Sequence, residues 1–300
     1  MTELDTIRLN FSPESLMLLN AILAIVMFSI ALDLKPSDFK ALMRTPKALL
    51  TGMVSQFLVL PAMTFAMLLV TNPQPSIALG LILVASCPGG NISNFITHRA
   101  GGNTALSVSM TGIATVAAIV MTPFNIAFWG NLYEPTRAIL RQTTLDPVSI
   151  AITVFFMLIL PLTLGILTNV RRPEFAARIR KTMQRLSMAI FVGFIVVALA
   201  ANWGFLQSLA VTVAGLVVLH NALALSSGYL SASVMKLSPY DRRAITIETG
   251  IQNSGLGLVL IFAFFGGLGG MAVAAALWGI WHAISGLALA TLWSRREAQR

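Results

Sequence analysis

The 300-residue chain is 56% hydrophobic and only 10% charged, with a net charge of +9 and a mean hydropathy of +0.82. A soluble domain has about 25% charged residues, so these proportions exclude one. The basic excess lies in short loops between apolar runs and reads as membrane topology, not as a nucleic-acid surface.

The amino-terminal MTELDTIRLNFSPES is acidic and offers no small-residue cleavage site, so no removable signal is expected. Nine apolar segments follow, at roughly 14–34, 46–71, 75–100, 103–128, 147–170, 183–202, 205–235, 241–267 and 271–293. No alternating strand pattern competes, and backbone groups in lipid must bond within their own segment, which leaves helices. With the amino end outside, 17 of the 20 Lys and Arg residues fall on the inner side and only Arg8, Arg137 and Arg141 fall outside. The expected topology is therefore nine spans, amino end out and carboxyl end cytoplasmic, in a cell (inner) membrane. The six-charge loop 171–185 reads as an inner-leaflet surface helix.

Two segments carry breaks. The third contains SCPGGNISN (86–94), where Pro88, Gly89 and Gly90 interrupt a helix in mid-membrane. The eighth contains ETGIQNSGLG (248–257), where Gly250, Gly255 and Gly257 flank a polar cluster. Each is followed by a tight turn and a long span, so the third and fourth segments mirror the eighth and ninth. Five spans separate equivalent elements, an odd number, so the copies are inverted. Paired interrupted helices in an inverted repeat point to the binding site of a secondary transporter. The first half is one span short, because the segment at 147–170 has no counterpart before residue 14.

Glu248 is the only acidic residue well inside a span, and no Lys or Arg lies well inside a span to pair with it. A charge at the bilayer centre costs about 2.5–3.5 kcal/mol on insertion scales. Either a proton or a bound cation neutralises it. Ser93, Asn94, Ser107, Thr111, Gln56 and Gln252 fall in or beside spans and all carry oxygen acceptors. Hard oxygen ligands with few charges favour an alkali cation over zinc or copper. For Ser107 or Thr111 alone, interhelical hydrogen bonding explains the residue equally well; a carboxylate is not required by packing. The single Cys87 excludes an intrachain disulfide or multi-cysteine metal site and reads as a buried apolar thiol. His220 and Asn221 read as interhelical bonding groups, and His98 as structural.

CPGGNISN with ALSVSMT downstream, and ETGIQN followed by WHAISG, resemble the bile acid:sodium symporter family over nearly the whole chain from LDLKPSDF onward. The resemblance implies one transporter domain over 1–300 with two crossed broken helices. Its core would be the spans of 46–128 and 205–293, and its panel those of 14–34 and 147–202. It implies a first sodium site at Ser93, Asn94, Ser107, Thr111 and Glu248. A second would use Gln56, Glu248 and Gln252 with the carbonyls of Thr249 and Ile251. Two Na⁺ and one carboxylate leave about +1 at the site, which favours an organic anion as substrate. Asn91, Asn253 and His282 are the candidate substrate contacts. The family often has Asn after that histidine, and here Ala283 stands instead.

The expected activity is sodium-coupled symport of a bile-acid-like or small carboxylate by alternating access, in a monomer embedded in a lipid bilayer, with no nucleic-acid partner. The rival within transport is proton coupling through Glu248. An intramembrane enzyme using Glu248 and His282 lacks a nucleophile or metal set, since the chain has three His, one Cys and neither HExxH nor GxSxG.

Overall fold

A computed structural model describes residues 13–32, 46–90, 92–142, 147–201 and 203–298. Among them the chain is all helical, apart from one isolated β-bridge. In chain order the twelve helices are α1 (Pro13–Ala31), α2 (Pro46–Thr71), α3 (Pro75–Ser86), α4 (Ile92–Arg99), α5 (Thr104–Leu132), α6 (Glu134–Gln142), α7 (147–171), α8 (Pro173–Ala201), α9 (Trp203–Val234), α10 (Pro239–Gly250), α11 (Ser254–Phe264) and α12 (Gly269–Ala298).

Prolines set many of the starts. Pro13, Pro46, Pro75, Pro147, Pro173 and Pro239 each open a helix, where a missing N–H costs nothing and a fixed φ is already helical. Side chains finish other ends: Asn103 accepts from the Leu106 N–H, Asn253 from Leu256 and Ser238 from Asp241, each three residues on.

Among the described residues, five helices are long and apolar enough to cross a membrane by length and composition: Pro46–Thr71, Thr104–Leu132, Val148–Arg171, Val213–Val234 and Gly269–Arg295. Asn20–Ser29, Pro75–Ser86 and Ser254–Phe264 are shorter apolar stretches. α3 and the first eight residues of α11 are buried on every face, as befits helices that are hydrophobic all round. The outer surface is also apolar, with Val70, Val120, Leu50 and Leu230 largely exposed, the expected face toward acyl chains. Close packing in the centre uses small residues. A Cβ on Gly80 would meet the Met271 backbone, and one on Gly270 would meet Ser76, so α3 and α12 approach almost backbone to backbone.

Two features depart from the sequence expectation. The charged stretch 171–185 is not a separate surface helix: Arg171 ends α7, and α8 then runs unbroken from Pro173 to Ala201, with neither Pro nor Gly to interrupt it before Gly193. Five-residue π segments also widen α2 at Ser55–Val59 and α7 at Phe155–Ile159. Leu60 N–H bonds Ser55 O, and Leu160 N–H bonds Phe155 O, five residues back in each case. Each π segment is followed by Leu-Pro, and the wider turn makes room for a proline ring in mid-helix. Pro61 cannot supply the N–H that would bond Phe57 O; the Asn125 side-chain amide donates to that carbonyl instead, at 3.0 Å.

Candidate cation site

The two interruptions face each other. α3 stops at Ser86 and α4 begins at Ile92; α10 stops at Gly250 and α11 begins at Ser254. Between them Gly89 and Gln252 form an antiparallel bridge. Gly90 N–H donates to Ile251 O at 2.6 Å, and Asn253 N–H to Pro88 O at 2.9 Å. Backbone groups released by both breaks thus satisfy one another, which a buried interruption requires.

Glu248 lies in the last turn of α10 and is completely buried. Ser93 of α4 donates to its Oε2 at 2.6 Å, Ser107 of α5 to Oε2 at 2.9 Å, and Thr111 of α5 to Oε1. Asn94 Oδ1 sits within 2.9 Å of Ser107 Oγ and 3.2 Å of Thr111 Oγ1. All five residues expected around a first cation are therefore in one hydrogen-bonded cluster. Its proton count is short. Thr111 also reaches Ser107 O at 3.1 Å, so three hydroxyl protons face six oxygen contacts. Three things can balance such a lone-pair surplus: a turned Asn94 amide, a proton on Glu248, or a cation at the centre.

The second set is adjacent. Gln56 stands in the π segment of α2, fully buried. Its Nε2 donates to Gln252 Oε1 at 2.7 Å and to Cys87 O at 2.9 Å. Gln252 Nε2 donates to Thr249 O at 2.7 Å and back to Gln56 Oε1 at 3.2 Å. Ile251 O holds one bond, from Gly90, leaving a second lone pair. The bonds of the Glu248 carboxylate go to the first set; Gly89 links the two, being bridged to Gln252 and pressed against the Glu248 carboxylate. The donors in both sets are one carboxylate and neutral oxygens. Among the described residues no group of three or more His, Cys, Asp or Glu occurs. Such ligands suit a hard monovalent ion.

Of the three candidate substrate contacts, Asn91 lies outside the described residues. Asn253 is half-buried, and its side-chain oxygen caps α11. His282 of α12 is buried with its ring edge against Trp278, and its Nδ1 has no hydrogen-bond partner. Flanking it on α12, Gly279 packs on Ser254 and Gly286 on Ile251, which sets His282 alongside the second break.

The sequence profile of the Sodium Bile acid symporter family matches residues 20–209. The chain belongs to that family. It is a multi-pass membrane transporter, not an enzyme. The Bacillus subtilis (strain 168) uncharacterized sodium-dependent transporter YocS is 33% identical over 281 residues, covering 93% of this chain and 83% of its own length. The Arabidopsis thaliana probable sodium/metabolite cotransporter BASS1, chloroplastic, is 32% identical over 277 residues, 91% of this chain and 66% of its own length. The Mus musculus sodium-dependent organic anion transporter is 27% identical over 283 residues, 92% of this chain and 74% of its own.

Around the cage of this family member stand supports that sequence reasoning did not single out. Buried Ser55 accepts from Thr249 at 3.1 Å, and Thr122 donates to Ser86 O at 2.8 Å, occupying a carbonyl at the end of α3. Hydroxyls at helical spacing are common, and nothing in their local sequence marks these two. His220 and Asn221 do make interhelical bonds. Trp278 Nε1–H donates to His220 Nδ1 at 2.8 Å, so Nε2 carries the ring proton and donates to Thr64 at 2.7 Å. Cys87 is buried, as expected.

Proposed function

We propose that the chain is a sodium-coupled symporter of an organic anion, working by alternating access with nine spans, amino end outside, in a cell (inner) membrane. The observation that carries the reading is the proton-poor oxygen cage on Glu248, buried where no Lys or Arg lies well inside a span. Sodium, as co-transported substrate, would take Ser93, Asn94, Ser107, Thr111 and Glu248 as one ligand set. Gln56, Gln252, Glu248 and the Thr249 and Ile251 carbonyls would be the other. The descriptions of the relatives as sodium-dependent transporters support the same ion.

Two sodium ions against one carboxylate leave about one positive charge, and the N-terminal ends of α4 and α11 add to it. An anion next to the breaks would complete that balance, with Asn91, Asn253 and the unpartnered His282 as its contacts. Because each ligand set draws on both interrupted segments or on α2 as well, ion binding would fix α2, α4, α5 and α10 relative to one another. A core of 46–128 and 205–293 could then rock as a unit against a panel of 14–34 and 147–202. Coupling requires that the empty and fully loaded forms isomerise readily and the sodium-only form does not.

Uptake of a labelled steroid acid, a keto acid and a hydroxy acid into proteoliposomes tests the proposal. An inward sodium gradient should drive uptake of at least one, while potassium with an inward proton gradient should not. Uptake driven equally by protons alone would replace sodium with a proton on Glu248.

A further inference from the structure

α10 ends beside the cage with carbonyls that have no helical partner left. Three consecutive ones are assigned to three different donors. Thr249 O accepts from Gln252 and Ile251 O from Gly90, both groups within the paired breaks. Gly250 O instead accepts from the side-chain amide of Asn221, on α9, at 2.8 Å. Ile251 is extended, with φ −120° and ψ 100°, so the carbonyls on either side of it point apart. Holding one fixes the other.

The packing of α9 explains why that amide reaches so deep. A Cβ on Gly228 would lie 2.7 Å from Ile245 O and 2.8 Å from Thr246 Cα, so the two helices touch through their backbones there. Leu225 fills the space over Gly250 that a side chain would need. Asn221, Leu225 and Gly228 follow one another at helical spacing of four and three, forming one stripe against α10. The amide itself is oriented. Asn221 is buried, and Ser285 of α12 donates its hydroxyl to Asn221 Oδ1 at 2.5 Å, which turns Nδ2 toward Gly250. Donor and acceptor sides are both used, one by each neighbouring helix.

We infer that Asn221 is a positioning residue for the second cation site: by holding the Gly250 carbonyl away from the breaks, it keeps the Ile251 carbonyl turned into the paired breaks, toward Gly90, and the Thr249 carbonyl before it turned toward Gln252. This rests on the sodium-symport reading. Without the amide, Gly250 O would be a buried acceptor lacking its donor, and the 250–251 peptide would rotate to find another. The site would lose its carbonyl ligands while every residue proposed to touch sodium remained in place. Ser285 acts one step further out, through Asn221.

The test is the melting of purified protein in detergent as sodium chloride replaces choline chloride at constant ionic strength. Wild type should be stabilised saturably by sodium. Asn221→Leu, close in size but unable to donate, and Asn221→Ala should raise the half-saturating sodium by about tenfold, the change expected for one lost hydrogen bond at a ligand. Ser285→Ala should shift it in the same direction by less. His220→Leu serves as the packing control and should lower melting at every sodium concentration with no shift in half-saturation. Asn221→Leu that behaves like His220→Leu, less stable but equally sodium-sensitive, would overturn the positioning role and leave the symport reading intact; Ser285→Ala supplies the same comparison if neither Asn221 variant folds. A wild type that sodium does not stabilise would overturn both.

Discussion

The Glu248 carboxylate occupies the space that a side chain on residue 89 would need. A Cβ built on Gly89 would stand 2.5 Å from Glu248 Oε1 and 3.1 Å from Cδ. Residue 89 cannot retreat, because its backbone is paired with Gln252 and the neighbouring Gly90 N–H holds Ile251 O. The glycine that breaks the third segment therefore also admits the acid of the eighth.

Gly89→Ala should push the carboxylate off Ser93, Ser107 and Thr111. Overpacking of this kind costs about 1–3 kcal/mol. The expected outcome is a folded but less stable protein whose sodium-driven uptake falls at least about tenfold, read in proteoliposomes alongside a melting curve. Uptake equal to wild type would mean that the carboxylate does not need its present position.

Glu248→Gln keeps the shape of the side chain and removes its charge. The variant should fold, because a neutral amide costs less to bury than a carboxylate. Its melting should no longer respond to sodium, and sodium-driven uptake should fall to background. Retained sodium dependence would remove Glu248 from the ligand sets.

Gln56→Ala and Thr111→Ala probe the two sets separately. Each removes one neutral oxygen, so the sodium concentration for half-maximal uptake should rise several-fold or more while the anion concentration for half-maximal uptake, measured at saturating sodium, moves little. A change confined to the anion would assign these residues to substrate instead.

His220→Leu tests a purely structural group. It removes the acceptor of the buried Trp278 Nε1–H and a partner of Thr64, which still bonds Leu60 O. An unsatisfied buried donor costs about 1–3 kcal/mol. Thermal unfolding should show that loss, and transport at temperatures well below melting should persist.

Much of the site was legible because its chemistry is costly in lipid. A lone carboxylate within an apolar span, and Pro or Gly clusters in mid-segment, have few readings, so Glu248 and breaks within SCPGGNISN and ETGIQNSGLG could be placed from residue order alone. Gln56 was legible as a polar residue in an apolar run, but not its widened turn. The signal was present in SQFLVLP and FFMLILP, where a proline falls inside a span six residues after the π segment begins. The extent of α8 was missed because its charge was weighed above the absence of a helix breaker. Asn221 could be seen to bond between helices, but not that its partner is one backbone carbonyl at the break. That pairing depends on how closely Gly228 lets α9 approach α10, a tertiary fact with no local signature.

The central claim is that sodium sits against a buried carboxylate where two interrupted helices meet. Equilibrium binding of radioactive sodium to the purified protein, wild type beside Glu248→Ala, addresses it without reference to any substrate. Saturable binding by wild type that potassium does not displace, and no binding by Glu248→Ala, is the predicted result. Equal binding by both proteins, or none by wild type, would contradict it.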